Sequence, residues 1–170
     1  MDTRDLPRRP GLMREMSRTI PAPADLGIDV IGVAQGSDLE LDFRLESVSE
    51  GVLVSGTARA ELSGECARCL DPLTSQLEVE FQQLYVYPGN DIDDDDDETG
   101  QLIDECADLE PVVRDAVVLA LPLAPLCQDD CAGLCPECGA RRDDVGPAHR
   151  HETTDSRWSA LRGLDSLTDQ

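Results

Sequence analysis

The sequence predicts an α+β fold: an antiparallel β-meander packed on one long helix, followed by a cysteine-rich C-terminal segment and a short terminal helix. Three observations carry this prediction. Apolar and polar residues alternate in successive runs from Leu39 onward, apolar residues recur at helical spacing between residues 109 and 120, and six of the seven cysteines fall into three close pairs. The expected organisation is a polar N-terminal segment over 1–20, an α+β core over 21–126, and a Cys/His-rich tail over 127–170.

Residues 1–20 are polar, with Arg8-Arg9-Pro10-Gly11 as a turn signal. Pro21, Pro23 and Gly27 mark a connector, and Ile28, Val30, Ile31 and Val33 suit a short strand. Leu39, Leu41, Phe43 and Leu45 then alternate with Glu40, Asp42, Arg44 and Glu46, the pattern of a strand with one wet face. After the turn at Ser49-Glu50-Gly51, a second strand carries Val52, Val54, Gly56, Ala58, Ala60 and Leu62 on one side. A third runs from Leu77 through Val79 and Phe81 to Tyr87. Three consecutive strands with short connections make an antiparallel meander.

Residues 89–101, GNDIDDDDDETGQ, hold five consecutive aspartates and read as a solvated, flexible loop. The run lacks the central glycine and terminal glutamate of a calcium-binding loop. Asp108 is the expected N-cap of the helix, with Glu110 and Pro111 in its first turn. Leu109, Val112, Val113, Ala116, Val117 and Ala120 share one face, and Val118, Leu119 and Leu121 widen it, so a heavily buried helix is expected. Pro122 and Pro125 end it, delivering the chain to Cys127. A last amphipathic stretch, 156–167, carries Trp158, Leu161, Leu164 and Leu167.

The formal charge is −22, from 36 acidic and 14 basic residues. Such a chain repels phosphate backbones and anionic lipid, which disfavours DNA and membrane surfaces, and attracts basic proteins. Arg141, Arg142, Arg150, Arg157 and Arg162 give the tail local positive charge, enough for a small RNA contact. No stretch has the length of a membrane span, and the charged N-terminus lacks the apolar core of a secretory signal, so a cytoplasmic protein with reduced thiols is expected.

In that setting cysteine spacing points to metal before disulfide. Cys66 and Cys69 form a C-x2-C at the corner between two strands, Cys127 and Cys131 follow the helix, and Cys135 and Cys138 form a second C-x2-C ahead of Gly139. Structural zinc takes four N or S ligands, and a C-x2-C turn aims two thiolates at one ion. His149 and His151, at i and i+2, reach to one side in an extended segment. The preferred assignment is two ions: Cys66, Cys69, Cys127 and Cys131 at one, and Cys135, Cys138, His149 and His151 at the other. The rival is one ion held by Cys66, Cys69, Cys135 and Cys138. Cys106 stands alone as a free thiol. No zinc-protease helix, phosphate loop or nucleophile elbow occurs, so no enzyme is expected.

The segments CARCLDPL, DLEPVVRDAVVLALPLAPLCQDDCAGLCPECG and DSRWSALRGL together resemble the YceD family, the large-ribosomal-RNA accumulation proteins. LGIDVIGV and DFRLESVSEGVLVSGTARAELSGEC resemble its actinobacterial branch. The resemblance implies a role in synthesis, processing or stability of 23S ribosomal RNA without catalysis, with a large-subunit precursor or a basic ribosomal protein as partner. The family's cysteine pairs map onto Cys66 and Cys69, Cys127 and Cys131, and Cys135 and Cys138. Many relatives continue with Asn-Leu-Asn and a C-x-C; here Ala140-Arg141-Arg142-Asp143 replaces the first, and His149 and His151 stand near the second. The usual Asp-Pro-Arg is Asp155-Ser156-Arg157. Two other functions fit the residues: a zinc-stabilised adaptor without a ribosomal role, and a thiol redox or zinc-sensing switch.

Overall fold

The computed structural model describes residues 1–89, 99–151 and Arg157. A seven-stranded sheet dominates it. The strands are β1 (Met13–Pro21), β2 (Gly27–Ile28), β3 (Ile31–Val33), β4 (Asp38–Ser47), β5 (Gly51–Glu65), β6 (Pro72–Val86) and β7 (Thr99–Gln101). Two helices follow, α1 (Glu110–Ala120) and α2 (Arg142–Val145).

The predicted meander is present as β4, β5 and β6. Val54 of β5 pairs with Leu45 on one side and Gln83 on the other, so β5 is central. β6 follows β5 along its whole length, from Gly51↔Val86 to Glu65↔Pro72. The other edge of β5 is shared, by β4 over residues 52–60 and by β3 over 62–64. Leu39, Leu41, Phe43, Leu45, Val54, Ala58 and Ala60 lie on one face and are buried, as the alternation predicts.

The helix departs from expectation. A long, heavily buried helix is predicted, but α1 has 11 residues and only Val113 and Val117 are fully buried. Leu119 is 85% exposed. The broad apolar face overstates burial because α1 packs on the sheet over one narrow stripe, mainly against β6 and at one end against β2. Its N-cap is Leu109, while the Asp108 carboxylate accepts the Glu110 N–H at 3.1 Å. Residues 121–126 separate the end of α1 from Cys127, so the helix does not deliver the chain directly to it.

Two further elements are absent from the expectation. Residues 13–21, within and just beyond the polar N-terminal stretch, form β1, whose nine residues pair with β4. Ahead of β1, the Thr3 N–H donates to Glu105 O at 2.9 Å, and Leu6 enters the core. Thr99–Gln101, at the end of the acidic run, form β7 and pair in parallel with β6. The rest of that run, residues 90–98, lies outside the described residues, as does the expected terminal helix apart from Arg157. Among the described residues no helix is long and apolar enough to cross a membrane.

Candidate metal centre

Cys66 and Cys69 sit in the tight loop that joins β5 to β6, where the long hairpin projects past the main core. Cys66 N–H donates to Asp71 O at 2.8 Å, and Leu70 N–H donates to Cys66 O at 2.9 Å. These bonds close a knuckle that turns both thiols inward. Beyond α1, residues 121–126 run back to the hairpin tip, where Ala67 N–H donates to Pro125 O at 2.8 Å. That contact brings Cys127 and Cys131 across. Cys66 Sγ lies 3.8 Å from Cys131 Sγ, and Cys69 Sγ lies 3.6 Å from Cys127 Sγ. All four sulfurs fall within 4.8 Å of one another, and only Cys127 is exposed.

A second knuckle repeats the backbone of the first. Cys135 N–H donates to Ala140 O at 2.7 Å, and Gly139 N–H donates to Cys135 O at 2.8 Å. Each knuckle thus has the same two bonds at the same offsets. Helix α2 and the turn at Gly146 then bring the chain back. His149 Nε2 stands 3.3 Å from Cys138 Sγ and 2.8 Å from His151 Nε2. The donors of Cys135, Cys138, His149 and His151 also lie within 4.8 Å of one another, in a more exposed setting. The folded chain therefore gathers the eight residues into two groups of four. The grouping of Cys66, Cys69, Cys135 and Cys138 is not among the four-donor clusters of the described residues. All seven cysteines are free thiols, and Cys106 belongs to neither group.

The thiols are unlike one another. Cys66 is lowered to about 6, chiefly because the Cys69 N–H donates to its sulfur, with the Cys127 and Arg68 amides adding to this against burial. Cys135 is likewise lowered to about 6 by the Cys138 and Glu137 amides, with help from His149. The Asp71 amide pulls Cys69 down, yet burial and its Cys66, Cys127 and Cys131 neighbours push it up to about 12. Cys127 is also raised: its contact with Cys69 favours the thiolate, but burial and the neighbouring Cys131 and Cys66 oppose it more strongly. Neighbouring amides thus favour ionisation of Cys66 in the first group and of Cys135 in the second, while the gathered sulfurs of the first oppose ionisation of Cys69 and Cys127. A cation at the centre removes that obstacle, which is the electrostatic demand of a metal site.

Residues 54–165 match the family described as large ribosomal RNA subunit accumulation protein YceD. The chain belongs to the YceD family. An uncharacterised protein of Mycobacterium bovis is 47% identical over 163 residues, covering 95% of this chain and 78% of that one. An uncharacterised Mycobacterium leprae protein is 40% identical over 165 residues, covering 96% and 76%. The Bacillus subtilis protein YlbN is 24% identical over 130 residues, covering 76% and 73%. No solved structure matches.

In this YceD-family chain the two groups are tied together by residues that spacing alone does not reveal. Arg141 grips Asp71 with both guanidinium branches, one at 2.8 Å. Arg68 donates to Cys131 O at 3.0 Å, while its own carbonyl accepts the Leu134 N–H at 3.0 Å. Gly133, at φ +74°, passes so close that a Cβ would meet Arg68 O at 3.0 Å. The one available signal was the glycine before the second knuckle.

The repeated knuckle carries a cost in its first copy. The residue after the second cysteine is left-handed in both, Gly139 at φ +71° and Leu70 at φ +61°. Glycine adopts this freely, whereas a side chain makes it cost about 1–2 kcal/mol. Leu70 is also 59% exposed, so its side chain recovers little by packing. Leu70→Gly is expected to raise stability by roughly 1 kcal/mol, read as a higher urea midpoint with an unchanged slope. A lower midpoint would mean that Leu70 contributes a contact outweighing its backbone strain. The second group is local, with its four donors inside 17 residues. His149→Ala is therefore expected to lower the metal content by one ion per chain while leaving the circular dichroism of the sheet unchanged, checked by elemental analysis of the purified variant.

Proposed function

We propose that this chain is a non-catalytic cytoplasmic factor that supports the accumulation of large-subunit ribosomal RNA, with two zinc ions holding its hairpin tip and tail. The family match over residues 54–165 carries the ribosomal part. The charge of −22 favours contact with a basic ribosomal protein over broad contact with RNA.

The donor chemistry supports zinc. Thiolate and imidazole donors suit zinc, copper(I) and iron–sulfur chemistry, and sets of four thiolates, or of two thiolates with two imidazoles, are zinc's usual structural sites. Thiolates about 2.3 Å from a tetrahedral ion stand roughly 3.8 Å apart, close to the 3.8 and 3.6 Å separations at the first group. The 2.8 Å between His149 and His151 is tighter than two ligands of one ion require, so those rings must part slightly on binding. Bound zinc would supply cross-linking and charge neutralisation, while the chain's amides hold the sulfurs in place.

The decisive test is sedimentation of the tagged chain with ribosomal particles, paired with 23S ribosomal RNA levels in a deletion strain. Co-migration with large-subunit precursors and reduced 23S RNA are expected. Absence from every ribosomal fraction together with normal RNA would refute the proposal.

A further inference from the structure

Strand β1 closes one side of the sheet. It pairs with β4 from Met13↔Glu46 to Pro21↔Asp38 without a bulge, and among the described residues no strand lies on its other side. The hydrogen-bond phase follows from its two ends. Ser47 N–H donates to Leu12 O at 2.9 Å and Ala22 N–H donates to Ser37 O at 2.8 Å, both in the register of β1 on β4. Hydrogen-bonded pairs alternate along an antiparallel ladder, so Arg14, Met16, Arg18 and Ile20 turn their amides toward β4. The amides and carbonyls of Glu15, Ser17 and Thr19 face outward. Natural edges are usually blunted by shortness, bulges, proline or charged side chains, and of these β1 carries charge, in Arg14, Glu15 and Arg18. This one is nine residues long and carries proline only at its last position.

An apolar pocket opens beside this edge. It has a volume of about 230 Å³; Ile20, Pro23, Leu26, Leu39, Leu41 and Val113 make most of its lining apolar, and Asp108 and the Glu110–Arg114 ion pair also border it. Small-molecule sites run to about 300–1,000 Å³, so this pocket suits one side chain better than a cofactor. Ile20 lies on the pocket face of β1, and a residue paired beside it would sit about 5 Å away on the same face. The opposite face keeps an acidic excess near β1: Asp42 is paired with Arg59 at 2.6 Å and Glu46 lies 4.0 Å from Arg44, while Glu15 and Glu40 add two further carboxylates. On the pocket face Arg14 pairs with Asp5 at 3.1 Å, while Arg18 donates to the outward carbonyl of Ser17 at 3.3 Å, a bond that an added strand displaces.

We propose that the open edge of β1 receives an extended, cationic segment of a partner protein as an added strand, with one apolar side chain of that segment in the pocket beside Ile20. Main-chain bonds supply the affinity of such strand addition, and alternate side chains supply the selectivity. The segment's basic residues belong on the positions facing Glu15, since Arg18 disfavours a cation on the pocket face. A second copy of this chain is disfavoured, because it brings another −22. Residues 72–83 of β6 also lack a neighbouring strand among the described residues, but the pocket borders β1. The inference rests on the ribosomal reading only for the source of the partner.

The test uses the full chain and fluorescent peptides of about 15 residues, tiling the large-subunit ribosomal proteins of the host. Cationic peptides with an apolar anchor are expected to bind the wild type at roughly micromolar affinity. Ser17→Pro removes an outward amide without touching the β1–β4 ladder, and Ile20→Asp places charge in the pocket. Each is expected to weaken binding by roughly tenfold or more. Gln76→Pro, on the open side of β6, is expected to leave binding unchanged. Bound peptide is also expected to slow hydrogen exchange at the Glu15, Ser17 and Thr19 amides of the wild type, which decides the matter if Ser17→Pro does not fold. The proposal is overturned if no peptide binds, if Ser17→Pro binds equally, if anionic peptides are preferred, or if the wild type dimerises through a contact that Ser17→Pro abolishes. Equal co-sedimentation of wild type and Ser17→Pro with ribosomal precursors overturns the edge and leaves the ribosomal reading standing. Peptide binding that meets these criteria, with no co-sedimentation and with normal 23S ribosomal RNA in a deletion strain, removes the ribosomal reading and supports the edge.

Discussion

Replacing Cys66 by serine is expected to lower the bound metal from two ions per chain to one and to release the tip of the β5–β6 hairpin from the segment after α1. Cys66 is fully buried, and its cluster with Cys69 and Cys131 is separate from the main core. Residues 66 and 131 are 65 apart in sequence, and the direct backbone tie between the hairpin tip and residues 121–126 is the bond from Ala67 to Pro125. Structural zinc contributes on the order of 10 kcal/mol in small domains, comparable to the whole stability of an ordinary domain, about 5–15 kcal/mol. No single backbone bond offsets that loss, since one contributes about 1 kcal/mol net. Hydrogen exchange should therefore accelerate at residues 65–72 and 121–131, while residues 52–60 of β5 stay protected by pairing on both sides. A variant that keeps both ions and its protected tip would show that Cys66 is an idle buried thiol.

Leu45→Ala is expected to do the reverse, lowering stability by about 3 kcal/mol with both ions retained. Leu45 is 1% exposed and sits between Arg14 of β1 and Val54 of β5, far along the sheet from the hairpin tip. The cavity left by the lost side-chain carbons cannot collapse, because strands on both sides fix the backbone. For a chain of this size the thermal midpoint should fall by roughly 6–12 °C. Differential scanning calorimetry with elemental analysis of the same sample checks both halves. Metal loss in this variant would show that the two clusters and the sheet unfold as one unit.

The meander was legible because alternation is a local signal: Leu39 to Leu45 must bury one face whatever else the chain does. β1 was not legible. Its residues, MREMSRTIP, show no clean alternation, since Arg14 and Arg18 share a face with Met16 and Ile20. It is a strand because β4 offers it an edge. Helix α1 is less buried than its sequence predicts for a related reason. Helical spacing places Leu119 and Ala120 near the apolar face, but whether a face is covered depends on where the sheet ends.

The candidate metal centre divides the same way. The sequence by itself determined the candidate donors, because C-x2-C fixes two thiols within one tight loop and that geometry is covalently local. It left open which pair meets which, since Cys66 and Cys69 are separated from both later pairs by more than fifty residues. Tertiary structure decided it: the sheet carries the first knuckle outward on a long hairpin, residues 121–126 beyond α1 return the chain to that tip, and the tip meets Cys127 and Cys131 before Cys135 and Cys138. The second knuckle then closes on what is left within reach, His149 and His151. Local spacing set out the candidate donors, and the path of the chain between them decided which of them come together.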